Sequence, residues 1–163
     1  MHAVRHLQAN SAPPTLKDEW VSWLSKLENW QVVATLTFET TARQRLPLSD
    51  SAICGITTAY IARVNQECFR HGARRKGFRV GSAFSIERRD TGEHPHVHMS
   101  LTIPPTWTVS NFERTLRSTS RNFRLIGQQI DIQPYQNSGW IGYCVKHGTD
   151  GLVVEHIQQA NPR

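Results

Sequence analysis

The chain has 163 residues, of which 38% are hydrophobic and 20% are charged, and its formal net charge at pH 7 is +6. This length and apolar content predict one globular domain and exclude an intrinsically disordered chain. No apolar run reaches the roughly 18 residues that a transmembrane helix needs, so we expect no membrane-spanning segment and no membrane partner. The positive charge favours an anionic partner, and nucleic acid is the first candidate.

Residues 1–14 are polar and lack the apolar centre of a signal peptide. We therefore expect a flexible N-terminal tail and a protein that stays in the cytoplasm rather than being secreted. The cysteines Cys54, Cys68 and Cys144 are widely spaced and form no Cys-x-x-Cys pair, which fits a reducing compartment and gives no zinc pattern. Residues 15–160 are predicted to form the single folded domain.

Hydrophobic periodicity divides the chain into helices and strands. Amphipathic spacing and capping residues predict helices at 15–30, 49–71, 110–123 and 138–147. The second helix is expected to end at Gly72, and the third to be capped by Ser110 or Asn111. Alternating or β-branched segments predict strands at 31–38, 79–88, 94–103 and 128–133, while 152–157 fits either a strand or part of a helix.

The resulting order is strand, helix, strand, strand, helix, strand, with one further helix at each end. This order predicts an α+β domain of the split β-α-β type, similar to a ferredoxin or RRM fold, with an antiparallel sheet. We expect the helices to lie on one face of the sheet and the other face to stay open for a ligand.

The third predicted strand contains three alternating histidines, in the run His94-Pro-His96-Val-His98. Side chains alternate between the faces of a strand, so all three imidazoles are expected on one face, with Val97 and Met99 on the other. Imidazole is a common metal ligand and a common acid or base near neutral pH. The alternative is a polar strand face that happens to be rich in histidine.

The turn at 90–93 decides which acidic residue faces the histidines. A two-residue or four-residue loop places Glu87 opposite His96, on the face that also carries His98, whereas a three-residue loop turns Glu87 to the other face. With an even loop the three side chains form a two-histidine, one-carboxylate set that suits divalent ions such as Mn²⁺ or Mg²⁺. The alternative for Glu87 is a surface acid paired with a nearby arginine.

The predicted helix at 138–147 carries Tyr143 and Lys146, which are three residues apart and share a helix face. Trp140 and Val145 point elsewhere and are expected to anchor this helix to the sheet. A tyrosine can attack a phosphodiester once a metal ion polarises the phosphate, and a neighbouring ammonium can hold phosphate charge or assist proton transfer. A half-buried tyrosine beside a lysine that reaches to solvent is the alternative.

Three motifs, in this order, resemble those of the HUH endonucleases, in particular the single-tyrosine replication initiators (Rep proteins) of rolling-circle plasmids, phages and small circular single-stranded DNA viruses. The motifs are Thr35-Leu36-Thr37-Phe38, then Pro95-His96-Val97-His98-Met99-Ser100-Leu101, and finally Tyr143-Cys-Val-Lys146. The histidine–hydrophobic–histidine pattern of the second motif names the family. The resemblance extends over approximately residues 31–148.

The resemblance implies a metal-dependent, sequence-specific endonuclease that nicks and joins single-stranded DNA to initiate rolling-circle replication. In the family, a metal ion held by two histidines and an acidic or amide side chain polarises the scissile phosphate, which the tyrosine attacks. A covalent 5′-phosphotyrosine forms, a 3′-hydroxyl is released to prime synthesis, and the reverse reaction joins ends. Carried over to this chain, His96, His98 and Glu87 would hold Mn²⁺ or Mg²⁺, Tyr143 would be the nucleophile and Lys146 would assist.

Some features depart from the family pattern. His94 adds a third histidine in line, so that His94 and His96 could be the metal-binding pair. The preceding proline and the apolar residues that follow favour His96 and His98, with His94 as an additional ligand or an orienting residue. No second tyrosine lies one turn from Tyr143, which argues against two-tyrosine chemistry. No P-loop is present, so we expect no helicase domain in this sequence; either the sequence is a piece of a longer protein, or the host supplies the helicase and polymerase.

The partner implied is single-stranded or hairpin DNA at a replication origin, where bases stack on aromatic side chains and basic groups follow the backbone. Charge and position select eight basic residues for this contact: Arg43, Arg45, Arg74, Arg75, Lys76, Arg79, Arg88 and Arg89. A further set of arginines at helical spacing has no acidic residue four positions later, so it is not expected to form a ladder of salt bridges: Arg114, Arg117, Arg121 and Arg124.

Three other functions stay open. A histidine-triad nucleotide hydrolase or transferase would use His96 as its nucleophile without a metal ion, and a chelator would leave its activity intact. A related single-strand transposase or conjugative relaxase would share the same motifs. A DNA-binding module that has lost catalysis would bind DNA without cleaving it.

Overall fold

The computed structural model describes residues 13–39, 48–88, 95–146 and 151–162 of the chain. Within these ranges the strands are β1 (Val32–Phe38), β2 (Ser82–Glu87), β3 (His96–Leu101) and β4 (Ile126–Pro134). The α-helices are α1 (Leu16–Leu27), α2 (Asp50–Phe69), α3 (His71–Lys76), α4 (Val109–Ser120) and α5 (Gly139–Cys144), and a short 3₁₀ helix follows at Val154–His156.

The four strands form one antiparallel sheet in the order β2-β3-β1-β4. Alternate residues of β1, Leu36 and Phe38 among them, are buried in the main core with Tyr60 of α2 and Phe112 of α4. The helices α2 and α4 contact each other and cover this face of the sheet. The predicted α+β fold, with its split β-α-β order and antiparallel sheet, is confirmed.

A second apolar cluster lies on the opposite face of the sheet. It joins Leu24 of α1 and Ile141 of α5 to Ala83 of β2, and Trp30 and Val145 are buried in it. The two helices added outside the β-α-β-β-α-β unit therefore pack together and cover part of the face that was predicted to stay open. They do so because each presents one apolar side, and burial of that side against the sheet is favourable.

One predicted helix end and one predicted cap were wrong. Arg70, with φ +49°, ends α2 before Gly72, and the chain continues through α3 to Gly77, whose φ of +66° is the left-handed conformation that glycine adopts easily. Thr108, rather than Ser110 or Asn111, caps α4, because its side chain accepts the amide hydrogen of Asn111 at 3.2 Å.

The C-terminal segment runs beside the outer edge of β2. Leu152, Gln158 and Asn161 form isolated antiparallel bridges with Ser85, Ser82 and Arg79 in turn, so residues 152–157 are neither a regular strand nor part of an α-helix. This segment pairs backbone groups that an edge strand would otherwise expose. No helix in the described part of the chain is both long and apolar enough to cross a bilayer.

Candidate active site

The predicted pairing between the second and third strands is confirmed. Glu87 of β2 lies directly opposite His96 of β3, and Ser85 lies opposite His98. Glu87, His96 and His98 therefore share one face of the sheet, as an even hairpin loop requires. The loop itself and His94 lie outside the described residues, so the assignment of His94 as an additional ligand or orienting residue stays a prediction.

Three side chains converge on the carboxylate of Glu87. Its Oε2 lies 2.6 Å from Nε2 of His98 and accepts the hydroxyl of Tyr143 at 3.1 Å. Its Oε1 forms a salt bridge with Nζ of Lys146. The Glu87 side chain is only 15% exposed, so these contacts replace most of its hydration. The histidine–carboxylate set and the Tyr143–Lys146 pair, which are far apart in sequence, thus form one site.

The contacts hold Glu87 in its ionised form. Burial acts to raise the pKa of Glu87, but hydrogen bonds from Lys146, His98 and Tyr143 outweigh burial and lower this pKa to about 2. Burial lowers the pKa of His98 despite the opposing effect of Glu87, which favours a neutral imidazole. The pKa of Lys146 is raised, because the bonds to Glu87 and Tyr143 outweigh partial desolvation.

Acid is therefore expected to destabilise the fold through Glu87. Its ionised contacts stabilise the fold fully above pH 4.5, the ordinary pKa of the group, and this stabilisation is lost as the pH falls through about 2. The free energy of unfolding, measured by urea titration, should fall more steeply between these pH values in wild type than in Glu87→Gln. Glu67→Gln, which removes an exposed partner of Arg63, should behave nearly as wild type. Equal slopes for wild type and Glu87→Gln would contradict the assigned contacts.

Two threonines of β1 orient the two histidines. Thr35 Oγ1 lies 3.1 Å from Nδ1 of His98, and Thr37 Oγ1 lies 3.1 Å from Nδ1 of His96. Both threonines lie directly opposite their histidines in the β1–β3 pairing. A hydroxyl can donate or accept, so it serves Nδ1 in either tautomer and leaves Nε2 for another partner. No role was predicted for Thr35 or Thr37; the signal that could have identified them is the Thr-x-Thr alternation, which matches the alternation of His96 and His98.

Loss of the Thr35 hydroxyl is expected to weaken metal binding. Residues that fix the second nitrogen of a metal-bound imidazole typically contribute about tenfold or more to metal affinity. Thr35→Val keeps the side-chain shape and removes the bond, so calorimetric titration with Mn²⁺ should show about a tenfold higher dissociation constant. Thr106→Val, in an exposed turn, is the matched control. Unchanged Mn²⁺ affinity in Thr35→Val would argue against His98 as a ligand.

The chemistry of the donor set suits a divalent ion. Among the described residues, no three His, Cys, Asp or Glu side chains are already grouped as metal ligands. One ionised carboxylate and two oriented imidazoles are nevertheless suitable ligands for Mn²⁺ or Mg²⁺. For Glu87 to take up such an ion, Lys146 must leave Oε1, and His98 must exchange its Nε2 contact with Glu87 for one with the ion.

Two aromatic side chains pack against the Tyr143 ring. The Tyr143 ring meets His98 edge-on at 5.0 Å between centroids and stacks with Trp140 at 5.9 Å. Nζ of Lys146 lies 3.9 Å from the centroid of the Tyr143 ring. Tyr143 is 42% exposed, so a large substrate can reach it. Val145 anchors α5 as predicted, whereas Trp140 contacts the rings of His98 and Tyr143.

Four of the basic residues selected for DNA contact precede β2 in the chain. Arg74, Arg75 and Lys76 are exposed in the last turn of α3, and Arg79 donates to the carbonyl of Gln159. Glu87 ends β2, so Arg79 lies on the order of 25 Å from it along an extended chain.

Two other arginines are engaged within the protein. Arg88 pairs with Asp50 and with the carbonyl of Leu48. Arg117 forms a salt bridge with Glu113, which lies four residues before it on α4. Arg43, Arg45 and Arg89 lie outside the described residues.

Comparisons of the chain with protein-family models, with curated proteins and with solved structures give no significant match. The function is therefore inferred from the site itself. That site consists of an ionised carboxylate, two oriented histidines, an exposed tyrosine and a lysine on adjacent elements of one sheet face.

Proposed function

We propose that the protein is a metal-dependent endonuclease that nicks and joins single-stranded DNA, with Tyr143 as its nucleophile. The observation that carries this proposal is that Tyr143, Lys146 and His98 all contact one largely buried carboxylate, that of Glu87. A tyrosine held only for packing needs neither an ionised acid nor a lysine beside its hydroxyl. The exposure of Tyr143 and the net charge of +6 support a large anionic substrate.

The proposed reaction is a transfer of the phosphoryl group to Tyr143. A divalent ion bound by Glu87, His96 and His98 would supply positive charge that polarises a phosphoryl oxygen. The Tyr143 oxygen forms a bond to phosphorus as the bond from phosphorus to the 3′ oxygen breaks. The phenolic proton is lost to solvent and the released 3′ oxygen takes one up. Lys146, beside the ring, stabilises the negative charge that develops on the Tyr143 oxygen.

The joining reaction follows from the same chemistry. The 5′-phosphotyrosine keeps the phosphodiester as an ester of similar energy, so a 3′-hydroxyl can attack it and release Tyr143 without an external energy source. On the resemblance to the replication initiators, we extend the proposal to initiation of rolling-circle replication. The proposed partners are single-stranded or hairpin origin DNA and a host helicase and polymerase, in the cytoplasm.

A covalent adduct tests the proposal. The protein is incubated with Mn²⁺ and labelled single-stranded oligonucleotides of randomised sequence, and the products are separated on a denaturing gel. We expect a protein–DNA band that survives denaturation and is lost when a chelator removes the metal. Binding without an adduct, across metals and sequences, would instead favour a binding module. Nucleotide hydrolysis that resists the chelator would favour the histidine-triad alternative.

The basic residues of α3 are expected to contribute affinity rather than catalysis. Each phosphate contact adds about 0.7 to the slope of log affinity against log salt for single strands. Replacing Arg74, Arg75 and Lys76 together with glutamine should therefore reduce that slope by about 2, measured by fluorescence polarisation. Adduct formation on a short oligonucleotide should stay near wild type. If the triple substitution leaves the slope of log affinity against log salt unchanged, α3 does not contact the DNA.

A further inference from the structure

A cavity of about 300 Å³ opens beside the proposed nucleophile, between the end of β4 and α5. Tyr143 and Trp140, stacked at 26° between ring planes, line it. The amides of Gln133, Gln136 and Asn137 line it as well. None of the described residues that line the cavity carries a charge. The cavity therefore offers aromatic surface and neutral hydrogen-bonding groups, which do not suit a phosphate.

The three amides leave a defined set of hydrogen-bonding groups unused. Asn137 Oδ1 accepts the amide hydrogen of Gly139 at 2.8 Å, which fixes the side chain and leaves its NH₂ group as a donor. Nε2 of Gln133 donates to Asp131 at 3.1 Å, which leaves its carbonyl oxygen as an acceptor. Within the described part of the chain the Gln136 amide has no partner, so it can serve in either sense.

We propose that this cavity binds one unpaired nucleobase of the substrate strand, next to the phosphate that Tyr143 attacks. This inference rests on the proposed function. A nucleobase has flat faces that stack on aromatic rings and an edge that carries both donors and acceptors. Tyr143 lines the cavity and also donates to Glu87, so a base held here belongs to a nucleotide that flanks the reacting phosphate.

Such a cavity would also restrict the enzyme to single-stranded DNA and would select the base at one position of that strand. Amide groups can reach the Watson–Crick edge of a base only when that base is unpaired. A fixed donor on Asn137 and a fixed acceptor on Gln133 discriminate among bases, because a wrong base leaves one of these groups without a partner. The selectivity of the nuclease at one position beside the nick is thus assigned to Gln133, Gln136 and Asn137.

The test compares the sequences that wild type and a pocket variant capture. The variant is Gln133→Leu/Gln136→Leu, because both side chains are exposed and their replacement should not disturb the core. Asn137 is left unchanged because its side chain also accepts the backbone amide hydrogen of Gly139. Gln129→Leu, exposed on β4 but outside the cavity lining, is the matched control. Each protein reacts with a randomised single-stranded library and Mn²⁺, and the covalently captured strands are sequenced.

At one position adjacent to the nick, we expect the base preference of the double variant to be about tenfold or more weaker than that of wild type. Its base preferences at all other positions, and those of Gln129→Leu at every position, should be unchanged. Preferences that are unchanged at every position, or reduced equally at all of them, would overturn the pocket assignment while leaving the nuclease intact. If wild type forms no adduct, the proposed function fails, and the pocket is tested without metal. Quenching of the tryptophan fluorescence by short oligonucleotides in chelator, absent in the double variant, would then support a base site beside Trp140, and no quenching would overturn it.

Discussion

Replacing Tyr143 with phenylalanine is expected to abolish the covalent protein–DNA adduct and to lower nicking by at least about a thousandfold, because the attacking oxygen is removed. The ring keeps its stacking with Trp140 and its contact with His98, so the fold should be unaffected. The hydroxyl lies 3.1 Å from Glu87 Oε2, and its loss should change DNA affinity only slightly. Nicking rates and polarisation measured on the same preparation separate the two effects.

Tyr135→Phe is the matched control for this substitution. Tyr135 packs against the second apolar cluster and contributes no contact to Glu87 in the described residues. The control should form the adduct at nearly the wild-type rate. A Tyr143→Phe protein that still forms a denaturant-resistant adduct would show that another residue is the nucleophile.

Replacing Glu87 with glutamine is expected to raise the dissociation constant for Mn²⁺ by at least about a hundredfold and to abolish nicking, since the anionic ligand is lost. The amide has nearly the same shape, and calorimetric titration measures the metal affinity directly. Glu113→Gln, which breaks the salt bridge to Arg117 on α4, should leave Mn²⁺ affinity unchanged. Unaltered Mn²⁺ binding in Glu87→Gln would exclude Glu87 as a ligand.

Lys146→Met is expected to strengthen Mn²⁺ binding, the opposite of the effect expected for Glu87→Gln. The Lys146 ammonium occupies Oε1 of Glu87, so it competes with a divalent ion for the same carboxylate. Its removal should tighten Mn²⁺ binding severalfold and still slow nicking, because the charge beside the Tyr143 ring is lost. A parallel fall in both properties would mean that Lys146 supports the metal site rather than competing with the ion.

Much of the site could be predicted because strand geometry is periodic. The alternation of His96 and His98, together with an even hairpin loop, was sufficient to place Glu87 opposite His96. The strand and helix order was sufficient for the antiparallel sheet. The contact between Glu87 and the Tyr143–Lys146 pair depends on how α5 packs on the sheet, and that packing was expected only in outline from Val145.

Other features depend on tertiary contacts that local patterns do not encode. The positive φ of Arg70 breaks a helix whose sequence is otherwise continuous, and the close approach of Gly72 to the Phe78 ring accompanies that break. The pairing of residues 152–161 with the edge of β2 depends on a free strand edge far away in sequence. The contacts of the Arg88 guanidinium with Asp50 and the Leu48 carbonyl likewise join residues that are far apart in sequence.

Peptide mapping of the protein by mass spectrometry, after reaction with single-stranded DNA, tests the central claim most directly. The reaction is run with Mn²⁺ and, in parallel, with chelator, and the adduct is trimmed with nuclease before digestion. We predict that a nucleotide is attached through its phosphate to Tyr143 in the Mn²⁺ sample and that no such attachment is found in the chelator sample. Attachment to His96 in the presence of chelator, or no covalent nucleotide under any condition, would contradict a tyrosine nuclease.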